Sequence, residues 1–180
     1  MNGKGYMDKT VIVIAGPTAS GKTDLAINLA LETDGEVVSA DSMQIYRYMD
    51  IGTAKPSKEE MKGIPHHMID ILDPDESYSV ALYKRDAEKC IRDILSRGKL
   101  PIIAGGTGLY INSLIYNIKF SETVTDEEFR KKMQRIAETE GPMVLHEMLR
   151  KVDPESAEKI HYNNVKRVIR ALEVYEYTKK

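Results

Sequence analysis

The stretch GPTASGKT, Gly16 to Thr23, constrains what this chain can fold into more than any other. In the spacing G-x-x-x-x-G-K-[ST], the glycines let backbone N–H groups curl round phosphate oxygens at a helix N-terminus. Lys22 brings a positive charge to the bridging and terminal oxygens, and Thr23 offers a hydroxyl to a bound Mg²⁺. Gly16, Pro17, Thr18, Ala19, Ser20, Gly21, Lys22 and Thr23 are therefore the candidate phosphate-binding residues. Such a loop needs a strand before it and a helix after it. TVIVIA, ending at Ala15, is a β-branched run that reads as a strand buried on both faces. KTDLAINLALET then sets Leu25, Ala26, Leu29 and Ala30 along one helical face.

The pattern repeats downstream. EVVSA, Glu36 to Ala40, reads as a second strand closed by Asp41, and HHMIDIL as a short extended piece. A helix follows with Val80, Tyr83, Ala87, Cys90, Ile91 and Ile94 inward, stopped by Gly98 as a left-handed cap. LPIIAGG is a further buried strand running into a glycine-rich turn. Short apolar strands alternating with amphipathic helices predict an α/β fold, a P-loop NTPase-like, mostly parallel sheet flanked by helices. Ligands on such sheets bind at the carboxyl ends of the strands, so the loops at Gly16, Asp41 and Gly105 are expected to face one crevice.

From about Ser121 the pattern is all helical. TDEEFRKKMQRIAE turns Phe129, Met133, Ile136 and Ala137 to one side, PMVLHEMLRKV is a second helix, and DPESAEKI a third with Asp153 as N-cap. A final helix directs Val165, Val168, Ile169, Leu172 and Tyr175 inward. The expected organisation is a core over 1–120, a small helical insertion over 121–162, and a helix over 163–180 returning to the core.

Composition excludes some functions. A net charge of −2 gives no global attraction to nucleic acid, so a polyanion partner requires a local basic patch. Cys90 is the sole cysteine, which rules out an intrachain disulfide framework or thiolate cluster; its helical spacing reads as packing, not nucleophilic chemistry. No apolar stretch has signal-peptide or membrane-span length, so a cytoplasmic protein without membrane attachment is expected. His66 and His67 invite a zinc reading. Neighbours in an extended segment point to opposite sides, however, so packing or hydrogen bonding is the favoured role.

The loop alone does not say what the phosphate belongs to. A nucleotide hydrolase or kinase would close a later apolar strand with a metal-holding acid, yet LPIIA runs into GGTGLY with no carboxylate. The acid follows the second strand, in SADSMQIYRYMDIGTAKP. Asp41 there can bind metal, take a proton from an attacking group, or merely cap a turn through the Ser42 or Met43 amide. A small-molecule or nucleotide kinase is the alternative reading, and an RNA-binding module with a decayed nucleotide site a third.

GPTASGKT, SADSMQIYRYMDIGTAKP, PHHMIDIL, IIAGGTGLYI and NVKRVIRALEVYE stand in the order found in tRNA dimethylallyltransferases, which the chain resembles from Val11 to about Tyr177. The resemblance implies transfer of a dimethylallyl group from dimethylallyl pyrophosphate to N6 of the adenosine next to the anticodon, position 37. It implies that Gly16 to Thr23 hold the pyrophosphate with Mg²⁺, and that Asp41 serves as general base. It further implies that Asp41, Ser42, Met43 and Gln44 contact the tRNA anticodon stem-loop, and that Thr107 lies against target nucleotide and leaving group. Asp41, Lys22 and Thr107 are thus the expected catalytic set, and Arg130 an expected tRNA contact. Arg130, Lys131, Lys132 and Arg135 suit backbone phosphates, or a solvated face paired with Glu127 and Glu128. Family members continue past RALEVYEYT through another strand, helices and an arginine near the active site. The resemblance therefore implies a chain truncated at its C-terminal side, and a protein that is monomeric at full length.

Overall fold

The computed structural model describes residues 10–118 and 126–178, and the chain divides into two compact units, Met1–Phe120 and Ser121–Lys180. The N-terminal residues 1–9 and the boundary expected at 120/121 lie outside the described residues.

The first unit is a parallel sheet flanked by helices. Its strands are β1 (Ile12–Ala15), β2 (Gly35–Ser39), β3 (His66–His67) and β4 (Leu100–Gly105), in the order β1-β4-β2-β3. All pairings are parallel: Ile12 lies opposite Ile102, Val37 opposite Ile102 on the other side, and Val37 opposite His66. Parallel pairing requires crossover connections, supplied by α1 (Lys22–Thr33) and α2 (Val80–Ser96). β2 is buried along its whole length, as its apolar run predicts. β1 instead lies at one edge among the described strands, and Ile12, Val13 and Ile14 are half-buried.

Around the sheet, Val38, Ala40, Tyr83, Ala87, Ile94 and Ile103 form one apolar cluster, and Ala26, Ala30, Val37 and Ile102 another. Helix α2 buries Tyr83, Ala87 and Ile94, with Cys90 half-buried beside them, and ends at Gly98 with φ of 73°, the predicted left-handed stop. Burial raises the Cys90 thiol above its usual range, so it is not a thiolate. Helix α1 shifts the expected face slightly: Ala26 and Ala30 are buried and Leu29 packs beside them as expected, Ile27 is buried as well, and Leu25 is exposed. The buried stripe is rotated because small alanines allow a close approach to β2 and β4.

A helix the sequence patterns did not single out, α3 (Gly108–Ile115), follows β4 directly. Its Tyr110 stacks on Tyr83 with ring centroids 3.8 Å apart and planes 9° from parallel. The Tyr83 hydroxyl donates to the Ser39 carbonyl at 3.0 Å, which satisfies a polar tip in a buried setting.

The second unit contains α4 (Glu127–Thr139), α5 (Pro142–Val152), α6 (Pro154–Lys159) and α7 (Val165–Thr178). Asp126 caps α4 by accepting from the Phe129 amide, and Asp153 caps α6 by accepting from the Ser156 amide, both at 2.9 Å. Met133, Leu145, Leu149, Ala157, Val168, Ile169 and Leu172 form one core. That core runs across the break expected at Tyr162, so α7 packs with the helices before it.

Candidate phosphate-binding site

Three loops leave the carboxyl ends of β1, β2 and β4 and are tied by their backbones. The Gly16 N–H donates to the Gly105 carbonyl at 3.4 Å, the Ala40 N–H to Ala104 at 2.8 Å, and the Thr107 N–H to Ala40 at 3.0 Å. Glycine is required at Gly105, because a Cβ there would stand 2.2 Å from the Ala40 carbonyl oxygen. That contact draws the Asp41 loop and the Thr107 loop together, as the parallel order predicts.

The structure brings some of the residues that the sequence singled out to one crevice, and Ser42, Met43 and Thr107 are not among those lining it. Thr18, Lys22, Thr23, Asp41, Gln44 and Gly106 line a crevice of about 70 Å³. Pro17, Thr18, Ala19 and Ser20 face solvent, and Gly21, with φ of 78°, turns the chain into α1. The Lys22 ammonium folds back on the Pro17 carbonyl and the Ser20 hydroxyl. A phosphate would compete with these neutral acceptors for the same donors.

Asp41 fills one of the roles open in the sequence, that of turn cap. Its Oδ1 accepts from the Met43 amide at 2.8 Å and the Gln44 amide at 3.3 Å, which fixes the turn. The turn-capping reading therefore holds for one oxygen. Held this way, the carboxylate still lines the crevice. The Ser42 amide donates to the Thr107 hydroxyl, while Met43 is exposed.

Gln44 is held from both ends. Its Nε2 donates to the Thr53 and Ala54 carbonyls, and its Oε1 accepts from the Ser39 hydroxyl at 3.1 Å. Lys55 adds a buried anchor that the sequence reading missed. Its ammonium, 4% exposed, binds Asp50, Asp70 and the Tyr46 carbonyl. Burial alone would lower its pKa, but the hydrogen bonds to Asp50 and Asp70 outweigh that and raise it. A fixed cation thus pins the loop carrying Asp41 to Tyr46.

The histidine pair divides as predicted for an extended segment. His67 Nε2 lies 2.8 Å from Glu36, while His66 Nδ1 lies 2.8 Å from the Ile64 carbonyl. No group of three His, Cys, Asp or Glu side chains able to hold a metal occurs among the described residues. Two hard oxygen donors that could hold a cation, the Thr23 hydroxyl and the Asp41 carboxylate, line the crevice.

In the second unit, Arg130 places Nε and Nη2 on the two oxygens of fully buried Glu173, at 2.9 and 2.8 Å, and Arg170 binds the same carboxylate. The arginines outweigh the effect of burial and hold Glu173 below the usual carboxylate range. The solvated-face alternative paired the basic cluster with Glu127 and Glu128, whereas the partner of Arg130 lies on α7, beyond any local pattern. Arg130, Lys131, Arg135 and Lys166 line a basic groove of about 610 Å³ between α4 and α7.

A parallel sheet with a glycine loop cradling the N-terminus of α1 defines a P-loop NTPase-like protein. The comparisons then resolve the class. The family profile described as IPP transferase matches residues 44–180, and that described as isopentenyl transferase matches residues 9–75. The chain belongs to the IPP transferase family. It is 64% identical over 170 residues to a tRNA dimethylallyltransferase of Acetivibrio thermocellus, covering 94% of this chain and 54% of the relative. It is 59% identical over 172 residues to that of Oceanobacillus iheyensis, covering 96% and 55%. Among solved structures it is similar to a full-length tRNA isopentenylpyrophosphate transferase from Bacillus halodurans, at 48% identity and TM-score 0.63, over 94% of this chain and 56% of that one. It is also similar to a eukaryotic dimethylallyltransferase acting on tRNA, at 40% identity and TM-score 0.77, over 94% and 42%. The chain thus spans about half the length of the curated relatives it matches. Among the described residues, no helix is long and apolar enough to cross a membrane.

Proposed function

We propose that this chain carries the donor site and general base of an enzyme that prenylates tRNA. The dimethylallyl group moves from dimethylallyl pyrophosphate to N6 of adenosine 37, in the anticodon loop. The observation carrying this reading is the shared crevice: Lys22 and Thr23 of the phosphate loop line it together with Asp41. The fold supplies no further acid at the end of β4, where a nucleotide hydrolase would hold its metal.

The chemistry follows from these positions. The bond between C1 of the prenyl group and the pyrophosphate oxygen breaks as N6 bonds to C1. The electron pair leaves with the pyrophosphate, and the N6 proton passes to the Asp41 carboxylate. The amine lone pair of adenine is delocalised into the ring, so N6 attacks well only as that proton is taken. The Lys22 ammonium and the loop amides stabilise the charge that develops on the leaving group. Thr23 would hold Mg²⁺, which when bound would neutralise pyrophosphate oxygens. Thr107 and Ser42 position the wall facing the target base. That base must leave its stack to reach a crevice this small. We place the RNA backbone along the basic groove of Arg130, Lys131, Arg135 and Lys166, whose side chains suit phosphates. The reading puts a monomeric protein with its tRNA in the cytoplasm.

Thermal shift and calorimetry with the full-length protein test donor choice. Dimethylallyl pyrophosphate with Mg²⁺ is expected to stabilise the fold more than ATP with Mg²⁺ and to bind about tenfold tighter. The reverse order would favour a kinase.

A further inference from the structure

His66 is unused by the chemistry above, yet its ring has a defined state. Its Nδ1 faces the Ile64 carbonyl at 2.8 Å, and a carbonyl can only accept, so Nδ1 carries the proton. Burial lowers the His66 pKa, which disfavours a second proton. The other nitrogen, Nε2, is then a bare acceptor. It is buried and has no hydrogen-bond partner among the described residues. A buried polar atom of this kind ordinarily points to a bound water.

The surroundings are built for one. His66, Thr23, Ser39 and Gln44 line a cavity of about 20 Å³, room for a single water molecule. Thr23 and Gln44 also line the phosphate crevice, so the two spaces share a wall. Ser39 commits its proton to Gln44 Oε1, which leaves its oxygen lone pairs able to accept. The Gln44 amide protons are committed to Thr53 and Ala54.

We infer that His66 is a positioning residue for Thr23, acting through a water held behind the phosphate loop by His66 Nε2 and Ser39. The water donates one proton to His66 Nε2 and the other to Ser39 Oγ, and accepts the proton of the Thr23 hydroxyl. Thr23 then turns its oxygen lone pairs forward, toward a cation on the pyrophosphate. The inference rests on the reading of the crevice as a pyrophosphate site.

The test uses the full-length protein with inorganic pyrophosphate as the probe, titrated by calorimetry with Mg²⁺ and again with chelator. His66→Phe removes the acceptor while keeping a flat ring, and His66→Gln returns an oxygen near Nε2. His66→Phe is expected to weaken binding about five- to twentyfold with Mg²⁺ and less than twofold with chelator. His66→Gln is expected to stay within about threefold of the parent in both. A structural role alone would move both conditions together. Equal binding by His66→Phe and parent in Mg²⁺, or equal losses in both variants, overturns the inference. Failure of the parent to bind pyrophosphate would instead count against the site itself. Should His66→Phe not fold, ¹⁵N spectra of the parent decide: the expected state is Nδ1 protonated with a hydrogen-bonded, bare Nε2. A protonated Nε2, or a high-resolution crystal structure with a dry cavity, overturns it.

Discussion

Ser42 and Thr107, from loops on neighbouring strands, hold each other through one hydroxyl. The Ser42 amide donates to Thr107 Oγ1 at 2.9 Å, and the Thr107 hydroxyl donates to Ser42 Oγ at 3.3 Å. This pair joins the loop carrying the proposed base to the loop opening α3. The two loops are therefore tied to each other before any ligand arrives.

Thr107→Val leaves the Ser42 amide without its acceptor. A half-buried donor stranded in this way costs about 1–2 kcal/mol, read as a lower urea midpoint at unchanged slope. Thr107→Ser keeps the acceptor and is expected to retain most of that stability. Equal midpoints for the Val variant and the parent would show that water replaces the bond freely.

Asp41 separates structure from chemistry by single-atom substitution. Asp41→Asn keeps an Oδ1 for the Met43 and Gln44 amides, so the turn survives, while the base is lost. The transfer rate of the full-length protein is expected to fall by roughly 10²- to 10⁴-fold, with pyrophosphate affinity within about threefold. An unchanged rate would remove Asp41 from the proton transfer.

Glu36 makes the first unit acid-sensitive in a defined window. The Arg97 hydrogen bonds, opposed by burial and helped by His67, hold its carboxyl at about 2 against an ordinary 4.5. A carboxylate lowered by folding stabilises fully above its unfolded value and loses that contribution as pH falls through the folded one. Glu36 thus contributes roughly 3 kcal/mol at neutral pH, fading below about pH 4.5 and gone near pH 2. Glu36→Gln is expected to lower the midpoint at pH 7 and to flatten the loss of stability between pH 4.5 and 2, measured by circular dichroism. A parallel acid profile in the variant would contradict this assignment.

Glu173 is the corresponding tie of the helical unit. Glu173→Gln leaves Arg130 and Arg170 without their shared carboxylate, but both guanidiniums are about two-fifths exposed and can rehydrate. The expected cost is therefore about 2 kcal/mol, below the usual figure for breaking a fully buried pair. It is read as faster amide exchange in α4 and α7. Lys131→Ala or Arg135→Ala should leave that exchange unchanged and reduce the salt dependence of tRNA binding.

Local signals carried much of this architecture. The G-x-x-x-x-G-K-[ST] spacing located the loop, and apolar runs placed β2 and β4 within a residue or two of their ends. Asp153 as a cap and Gly98 as a stop were equally readable, because each acts on its own helix end. What escaped depends on partners far along the chain. Helix α3 was hidden because GLYINSLI starts on glycine and shows no polar face. Tyr110, stacked on Tyr83, and Ile111 join it to the core. The buried Lys55 and Glu173 each look like surface charges until Asp70 or Arg130 is brought beside them. Asp41 was legible as a site residue, but its double use, one oxygen fixing the turn while the carboxylate lines the crevice, required coordinates.

The most direct measurement follows the prenyl carbon. The full-length protein is incubated with labelled dimethylallyl pyrophosphate, Mg²⁺ and unmodified tRNA, and the RNA is then digested to nucleosides and analysed by mass spectrometry. Label on N6 of adenosine 37, with pyrophosphate released in equal amount and Asp41→Asn inactive, is the predicted result. Folded protein that leaves the RNA unlabelled, while transferring the γ-phosphate of ATP to a small acceptor, would contradict the account.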